Sequence, residues 1–171
     1  MSFGLKNLFT KKKEIPAILS PYGGTLMAIE ETPDEAFSQK MLGDGFSVDP
    51  DRGEAVSPCD GTVSCVFDTG HAIGITGEDG NEYLLHVGID TVNMGGEGFE
   101  PLVKEEEKVK AGQPVLRFDL DLVKAKAPSP VCVLAIGNST ENGVLTLAEK
   151  SGSHILPGAK AACYDRKDEE A

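Results

Sequence analysis

A proline-glycine turn that opens into a strand occurs twice in the chain. It appears as Ser20-Pro21-Tyr22-Gly23-Gly24-Thr25-Leu26 and again, 37 residues on, as Ser57-Pro58-Cys59-Asp60-Gly61-Thr62-Val63. Proline presets φ for a turn, glycine admits positive φ, and the Thr-Leu or Thr-Val that follows suits a strand. A weaker echo pairs Val109-Lys110-Ala111-Gly112-Gln113-Pro114-Val115 with Ile155-Leu156-Pro157-Gly158-Ala159-Lys160-Ala161. Repeats in the order a, a′, b, b′ point to two interleaved halves, not to stacked units of a solenoid. The fold they predict is all-β: an antiparallel β-sandwich or barrel with internal duplication. Length and composition agree, since 171 residues suit one domain, and 20 glycines, 10 prolines and no tryptophan favour turns and strands over a helix bundle. One or two short helices are predicted, at residues 33–42 and at 120–126, the latter ended by Pro128. Strands are expected at residues 131–136 and 144–148.

Two of the three histidines lie on either side of an Asp-Gly turn signal. His71 stands in Thr69-Gly70-His71-Ala72-Ile73 and His86 in Leu84-Leu85-His86-Val87-Gly88-Ile89-Asp90, with Asp79-Gly80 between them. A two-residue turn centred on Asp79-Gly80 puts Ile73 opposite His86 and His71 opposite Gly88, so that both rings share one face as diagonal neighbours. Such a pair suits a phosphoryl relay, a metal site or acid–base work.

The formal net charge of −12 excludes nucleic acid as a natural partner, because phosphate backbones demand basic surface. Acids begin only at Glu14; the first thirteen residues carry four lysines, with Phe3, Leu5, Leu8 and Phe9 as apolar positions. This leader, residues 1–14, reads as disordered or as an amphipathic segment able to lie on an anionic membrane through residues 1–13. Residues 166–171 read as a charged tail, and residues 15–165 as the folded domain. No stretch is long and apolar enough for a membrane span, and no secretory signal is visible, which places the expectation in the cytoplasm, peripheral at the inner face of the membrane if the leader binds it. Cys59, Cys65, Cys132 and Cys163 form no CxxC pair and read as reduced small hydrophobes.

Taken together, several strings resemble the glucose-type enzyme IIA domain of the bacterial phosphoenolpyruvate-dependent sugar phosphotransferase system. They are Ser20-Pro21-x-x-Gly24, Phe37-Ser38-Gln39-Lys40-Met41-Leu42-Gly43-Asp44-Gly45, Ser57-Pro58-x-x-Gly61-Thr62-Val63, Thr69-Gly70-His71-Ala72-Ile73, His86-Val87-Gly88-Ile89-Asp90-Thr91-Val92 and Gly96-Glu97-Gly98-Phe99. The resemblance spans residues 18–163 and implies the duplicated, barrel-sandwich hybrid type of fold. It implies that His86 accepts a phosphoryl group from the phosphocarrier protein HPr and passes it to a cysteine of a IIB domain of a sugar-specific IIB/IIC permease. His71 is implied as the ring that hydrogen-bonds the phosphoryl oxygens, and Thr69 as the hydroxyl that orients His71. Asp90 and Asp34 match positions that meet basic side chains of partners. Phe37, Ala36, Met41, Leu42, Phe67 and Leu84 match an apolar ring on which partners dock. No cofactor is implied, though zinc held by His71, His86 and a partner's carboxylate is chemically reasonable. Regulated transporters or kinases are further partners the resemblance implies, because a phosphoryl group at the centre of a docking face changes its charge.

Two other classes compete with the carrier. A zinc metallopeptidase of the lysostaphin-like kind would use His86-x-x-x-Asp90 and His71 as ligands, but needs an H-x-H string that the chain lacks. A purely regulatory binding module needs no transfer at all. Two stretches depart from the family pattern: Lys126 to Cys132, with Pro128 and Pro130, and the end from His154 onward, which reads as charged where a last strand is often apolar.

Overall fold

The structure is a computed structural model and describes residues 17–138 and 143–165, the side chain of Asp165 excepted. The predicted leader, 1–14, and tail, 166–171, lie outside the described residues. Within them run fourteen strands: β1 (Ile18–Leu19), β2 (Gly24–Ala28), β3 (Asp44–Pro50), β4 (Glu54–Val56), β5 (Gly61–Val66), β6 (Ala72–Gly77), β7 (Glu82–His86), β8 (Phe99–Pro101), β9 (Lys108–Val109), β10 (Pro114–Phe118), β11 (Cys132–Ile136), β12 (Val144–Leu147), β13 (His154–Ile155) and β14 (Lys160–Asp165). An eight-stranded sheet has the order β13-β2-β3-β11-β7-β6-β5-β9, and two three-stranded sheets have the orders β1-β14-β12 and β4-β10-β8. The strand pairings within them are antiparallel.

The sequence repeat becomes an approximate twofold. The Leu19 N–H donates to the Pro58 carbonyl at 3.4 Å and the Val56 N–H to the Pro21 carbonyl at 2.8 Å, the same bond shifted by one repeat and exchanged. Ser20 clasps Gly158 and Ala159, and Ser57 clasps Gly112 and Gln113, so each early repeat holds one late repeat. Each serine hydroxyl donates at 2.6 Å to the carbonyl two residues on, Tyr22 in one turn and Cys59 in the other. The axis passes between β7 and β11, where Leu85 faces Leu134 and the pairs His86–Val133 and Leu84–Ala135 exchange.

Alternation sorts the central strands into two faces. Ile73, Leu85, Leu134 and Phe46 lie in register across β6, β7, β11 and β3 and are fully buried. Removing a side chain of this size from water contributes about 1.5–3 kcal/mol. The opposite face carries small residues, Ala72, Gly74, Gly45, Ser47 and Ala135, in the rows of His86 and Leu84. That leaves room for residues 29–43 to cross it, anchored by Ile29 and Phe37 on Val133 and Ala135 and by Thr32 Oγ1 against Ser47 Oγ at 2.6 Å.

Both predicted helices form. Helix α1 (Glu35–Ser38) is a single turn whose N-terminus is capped by Asp34, which accepts the Phe37 N–H at 3.3 Å. It stops short of Gly43 because Lys40 turns left-handed, with φ 59°. Helix α2 (Leu120–Lys126) is capped by Asp119 and ends before Pro128. The chain's end departs from the charged reading as far as residue 165: β14 buries Ala161, Ala162 and Tyr164 between β1 and β12. The Pro128–Pro130 stretch also has a structural task, since Ser129 accepts the Ile89 N–H at 2.9 Å and pins the loop after His86.

Candidate functional site

The hairpin joining β6 and β7 does not have the register expected from sequence. Gly77 pairs with Asn81 around a three-residue loop, Glu78-Asp79-Gly80, with Gly80 left-handed at φ 86°. This is a type I turn followed by a glycine bulge, one residue longer than the two-residue turn that Asp-Gly signals. Ala72 therefore faces His86, Ile73 faces Leu85, and the Val87 N–H bonds the His71 carbonyl. By strict alternation His71 would point with Ile73 into the core. It escapes because it precedes β6, directly after the tight turn Phe67-Asp68-Thr69-Gly70, where Gly70 takes φ 71° and the pleat no longer sets direction.

The two imidazoles meet all the same. Their centroids are 4.9 Å apart and their planes nearly perpendicular at 84°. His71 is 3 % exposed, walled by Phe67 at 5.5 Å and Phe99 at 6.4 Å. Its Nδ1 lies 2.5 Å from the Thr69 hydroxyl. His86 is half-buried, and its Nδ1 lies 2.9 Å from the Gly88 carbonyl. A carbonyl only accepts, so His86 Nδ1 carries the proton and Nε2 is left with a lone pair. Burial lowers the pKa of His71. Burial first, then the neighbouring His71, brings His86 down to about 4, against weaker upward pulls from the Gly88 carbonyl, Asp34 and Asp90. At neutral pH both rings are uncharged, and the His86 lone pair is free to act as a nucleophile.

The other sequence-selected residues differ in placement and exposure, and Met41 and Leu42 line a separate cleft with Lys40, Gly43, Asp44, Gly137 and Gly143. Met41, Leu42 and Phe67 are exposed (71, 45 and 42 %), as is Val92 at 53 %, in the loop after His86. Ala36 and Leu84 are half-buried. Phe37 is only 4 % exposed, and with its ring 5.1 Å from His86 it walls the histidine. The left-handed Lys40 ends α1 early, which releases Met41 and Leu42 from the helix. Asp34 spends one oxygen on its cap, while Asp90 is exposed and left-handed at φ 55°. The Gly88 carbonyl was missed in the sequence, although a glycine two residues after the histidine was its signal. An open cleft of about 500 Å³, lined by Asp90, Asn93, Met94, Glu97, Lys126 and Pro128, adjoins the loop after His86.

Among the described residues no group of three or more His, Cys, Asp or Glu is placed to hold a metal ion. The metallopeptidase alternative thus gains no support from His71, His86 and Asp90. No helix of the described residues is long and apolar enough to cross a membrane, and all four cysteines are free.

Comparison with known proteins agrees with this fold. The chain is similar to the glucose-specific EIIA component of a Staphylococcus epidermidis phosphotransferase system, 44 % identical over 139 residues, covering 80 % of this chain and 84 % of the relative. It is similar to the corresponding Staphylococcus aureus component, 41 % identical over 149 residues, with 85 % and 90 % covered. The structure matches glucose permease IIA from Mycoplasma capricolum with a TM-score of 0.79 at 34 % identity, covering 88 % of this chain and 96 % of that one. Residues 16–142 match the family model for the phosphoenolpyruvate-dependent sugar phosphotransferase system, EIIA 1. The chain, a β-sandwich with two facing histidines, belongs to that EIIA family of phosphoryl-carrying components.

Proposed function

We propose that His86 is the phosphoryl carrier of this protein, with Nε2 as the bonding atom and His71 and Thr69 as its attendants. The observation that carries this reading is the opposite wiring of the two rings. His86 donates Nδ1–H to the Gly88 carbonyl; His71 offers Nδ1 to Thr69. When the Thr69 hydroxyl donates, His71 keeps its proton on Nε2 and becomes a donor. One ring is then a nucleophile and the other a hydrogen-bond donor for the transferred oxygens.

In the reaction, a bond forms between His86 Nε2 and phosphorus as the bond between phosphorus and the phosphocarrier HPr breaks. The ring gains positive charge, which falls beside the Gly88 carbonyl and within reach of the fields of Asp34 and Asp90. The second transfer reverses these changes: a IIB cysteine sulfur takes the phosphorus and the His86 lone pair returns. Little further covalent chemistry is required, so the protein's contribution is positioning and exclusion of water. Phe37 and Phe67 wall the rings, and Met41, Leu42 and Phe67 offer apolar surface on which HPr and IIB dock, with Asp34 and Asp90 meeting their basic side chains. Residues 15–165 form the IIA domain in this reading, and residues 1–13 a segment for peripheral contact with the inner face of the membrane. The similar proteins are named for glucose, which is the sugar proposed. Adding about −1.5 to −2 charges at the centre of the docking face also gives regulated partners a way to distinguish the two states.

Incubation with phosphoenolpyruvate, enzyme I and HPr should leave a stoichiometric, acid-labile and base-stable phosphoryl adduct. Its absence with active components, or its persistence at wild-type level in His86→Ala, would overturn the reading.

A further inference from the structure

Tyr22 is the largest fully buried side chain of the core, yet it carries a polar atom. Its hydroxyl donates to the Val133 carbonyl at 2.7 Å, across 111 residues of sequence. Val133 is the residue registered opposite His86 on the neighbouring strand. The backbone of Tyr22 is fixed at the other end, because its N–H is held by Ser20 Oγ at 3.2 Å and its carbonyl accepts that same hydroxyl at 2.6 Å. A rigid ring thus spans from the first repeat turn to the ladder at the level of the proposed carrier.

The approximate twofold makes the placement specific. Cys59 occupies the repeat position of Tyr22, and the exchange of the pairs His86–Val133 and Leu84–Ala135 makes Tyr83 the counterpart of Cys132. At these two pairs of equivalent positions each half therefore carries one tyrosine and one cysteine, in swapped places. Tyr83 sends its hydroxyl to Asp79 at 2.6 Å, in the hairpin turn away from the histidines. Tyr22 alone sends its hydroxyl into the ladder beside His86.

We propose that Tyr22 is a positioning residue for phosphoryl transfer: its hydroxyl, bonded to the Val133 carbonyl, holds the β7–β11 ladder so that the His86 ring keeps its place between His71, Phe37 and the Gly88 carbonyl. The role rests on His86 being the carrier. Burial pushes the Tyr22 phenol well above its ordinary pKa, so the hydroxyl keeps its proton and stays a donor. A displacement of well under an ångström at a group that must attack in line is enough to slow transfer.

The test compares Tyr22→Phe with Tyr83→Phe, after the wild type has been shown to form its adduct at His86, so that failure of the carrier reading is detected first. Both variants lose one buried phenol hydroxyl, and both are expected to unfold at lower temperature than the wild type. Only Tyr22→Phe should slow phosphorylation by HPr, by about fivefold in kcat with KM unchanged, the loss expected of one hydrogen bond. Only it should raise the His86 titration midpoint, read by nuclear magnetic resonance of the ring, as the loosened ladder admits water. A second measurement leaves the hydroxyl in place. In protein labelled with 3-fluorotyrosine, the fluorine signal of residue 22 should shift when His86 is phosphorylated, while those of residues 83 and 164 hold still. Wild-type kcat and His86 midpoint in a folded Tyr22→Phe, or a residue-22 fluorine signal blind to phosphorylation, would overturn the proposal.

Discussion

His71→Gln should still take a phosphoryl group on His86 but hand it on about 10²–10³ times more slowly, the usual cost of losing one aimed donor where transition-state charge develops. Acceptance needs a lone pair on His86, and the Gly88 carbonyl supplies that by itself through Nδ1. Donation needs more, because charge on the departing phosphoryl oxygens must be met while the sulfur approaches. The donor available is the ring of His71, perpendicular to His86 and 4.9 Å from it, and steadied by Thr69. A glutamine amide reaches the same region without that anchor or that rigid plane. Loading the variant with labelled phosphate and chasing with IIB in a single turnover measures the step alone; hand-on at the wild-type rate would remove His71 from the mechanism. The same variant should raise the His86 titration midpoint from about 4, since His71 is the second cause of its depression after burial. The direction follows from charge: a neighbour that disfavours a second imidazolium is gone, so protonation becomes easier.

Gly88→Ala should damage both fold and transfer. Gly88 is left-handed at φ 73°, and a Cβ there would sit 2.4 Å from Thr91 Cγ2. Thr91 is not free to yield: it is fully buried, and its hydroxyl is bonded to the Val87 carbonyl. Backbone strain of about 1–2 kcal/mol adds to the clash, and together about 2–4 kcal/mol of stability is expected to be lost. The carbonyl that holds His86 Nδ1 belongs to the same residue, so phosphorylation should slow at conditions where the variant remains folded. Gly95→Ala is the matched comparison, because Gly95 has φ 64° with nothing within 4 Å of a Cβ. It should cost only the strain and leave transfer intact. Equal urea midpoints for the two variants would contradict the steric argument.

Much of this was legible in the residues because local chemistry and long-range pattern agreed. The Ser-Pro-x-x-Gly-Thr repeat gave the interleaved halves, and Ser20 and Ser57 make the same hydroxyl bond in both turns. Helix α2 has the predicted bounds, since an N-capping aspartate and a following proline mark both ends chemically. Where alternatives differ by one residue, sequence was blind. Asp-Gly serves a two-residue turn and a three-residue turn with a bulge equally well, and only packing of Ile73, Ile75, Tyr83 and Leu85 into one core selects the second. The pairing of the histidines survived that slip because His71 stands directly after a turn, outside the pleat, where alternation does not govern. Phe37 poses a related ambiguity: an apolar residue in a one-turn helix can cover the sheet or face out, and the small residues beneath it, Ala135 among them, decide for burial. The tasks of Gly88 and Tyr22 run through main-chain carbonyls, which have no letter in a sequence.

The most direct test of the site is the position of phosphorus in the phosphorylated protein, read from phosphorus–nitrogen couplings in a sample with ¹⁵N-labelled histidine. The three histidines offer six ring nitrogens. The expected result is coupling to Nε2 of His86 alone, with Nδ1 of that ring still protonated and bonded to the Gly88 carbonyl. Phosphorus on His86 Nδ1, on His71 or on His154 would contradict it.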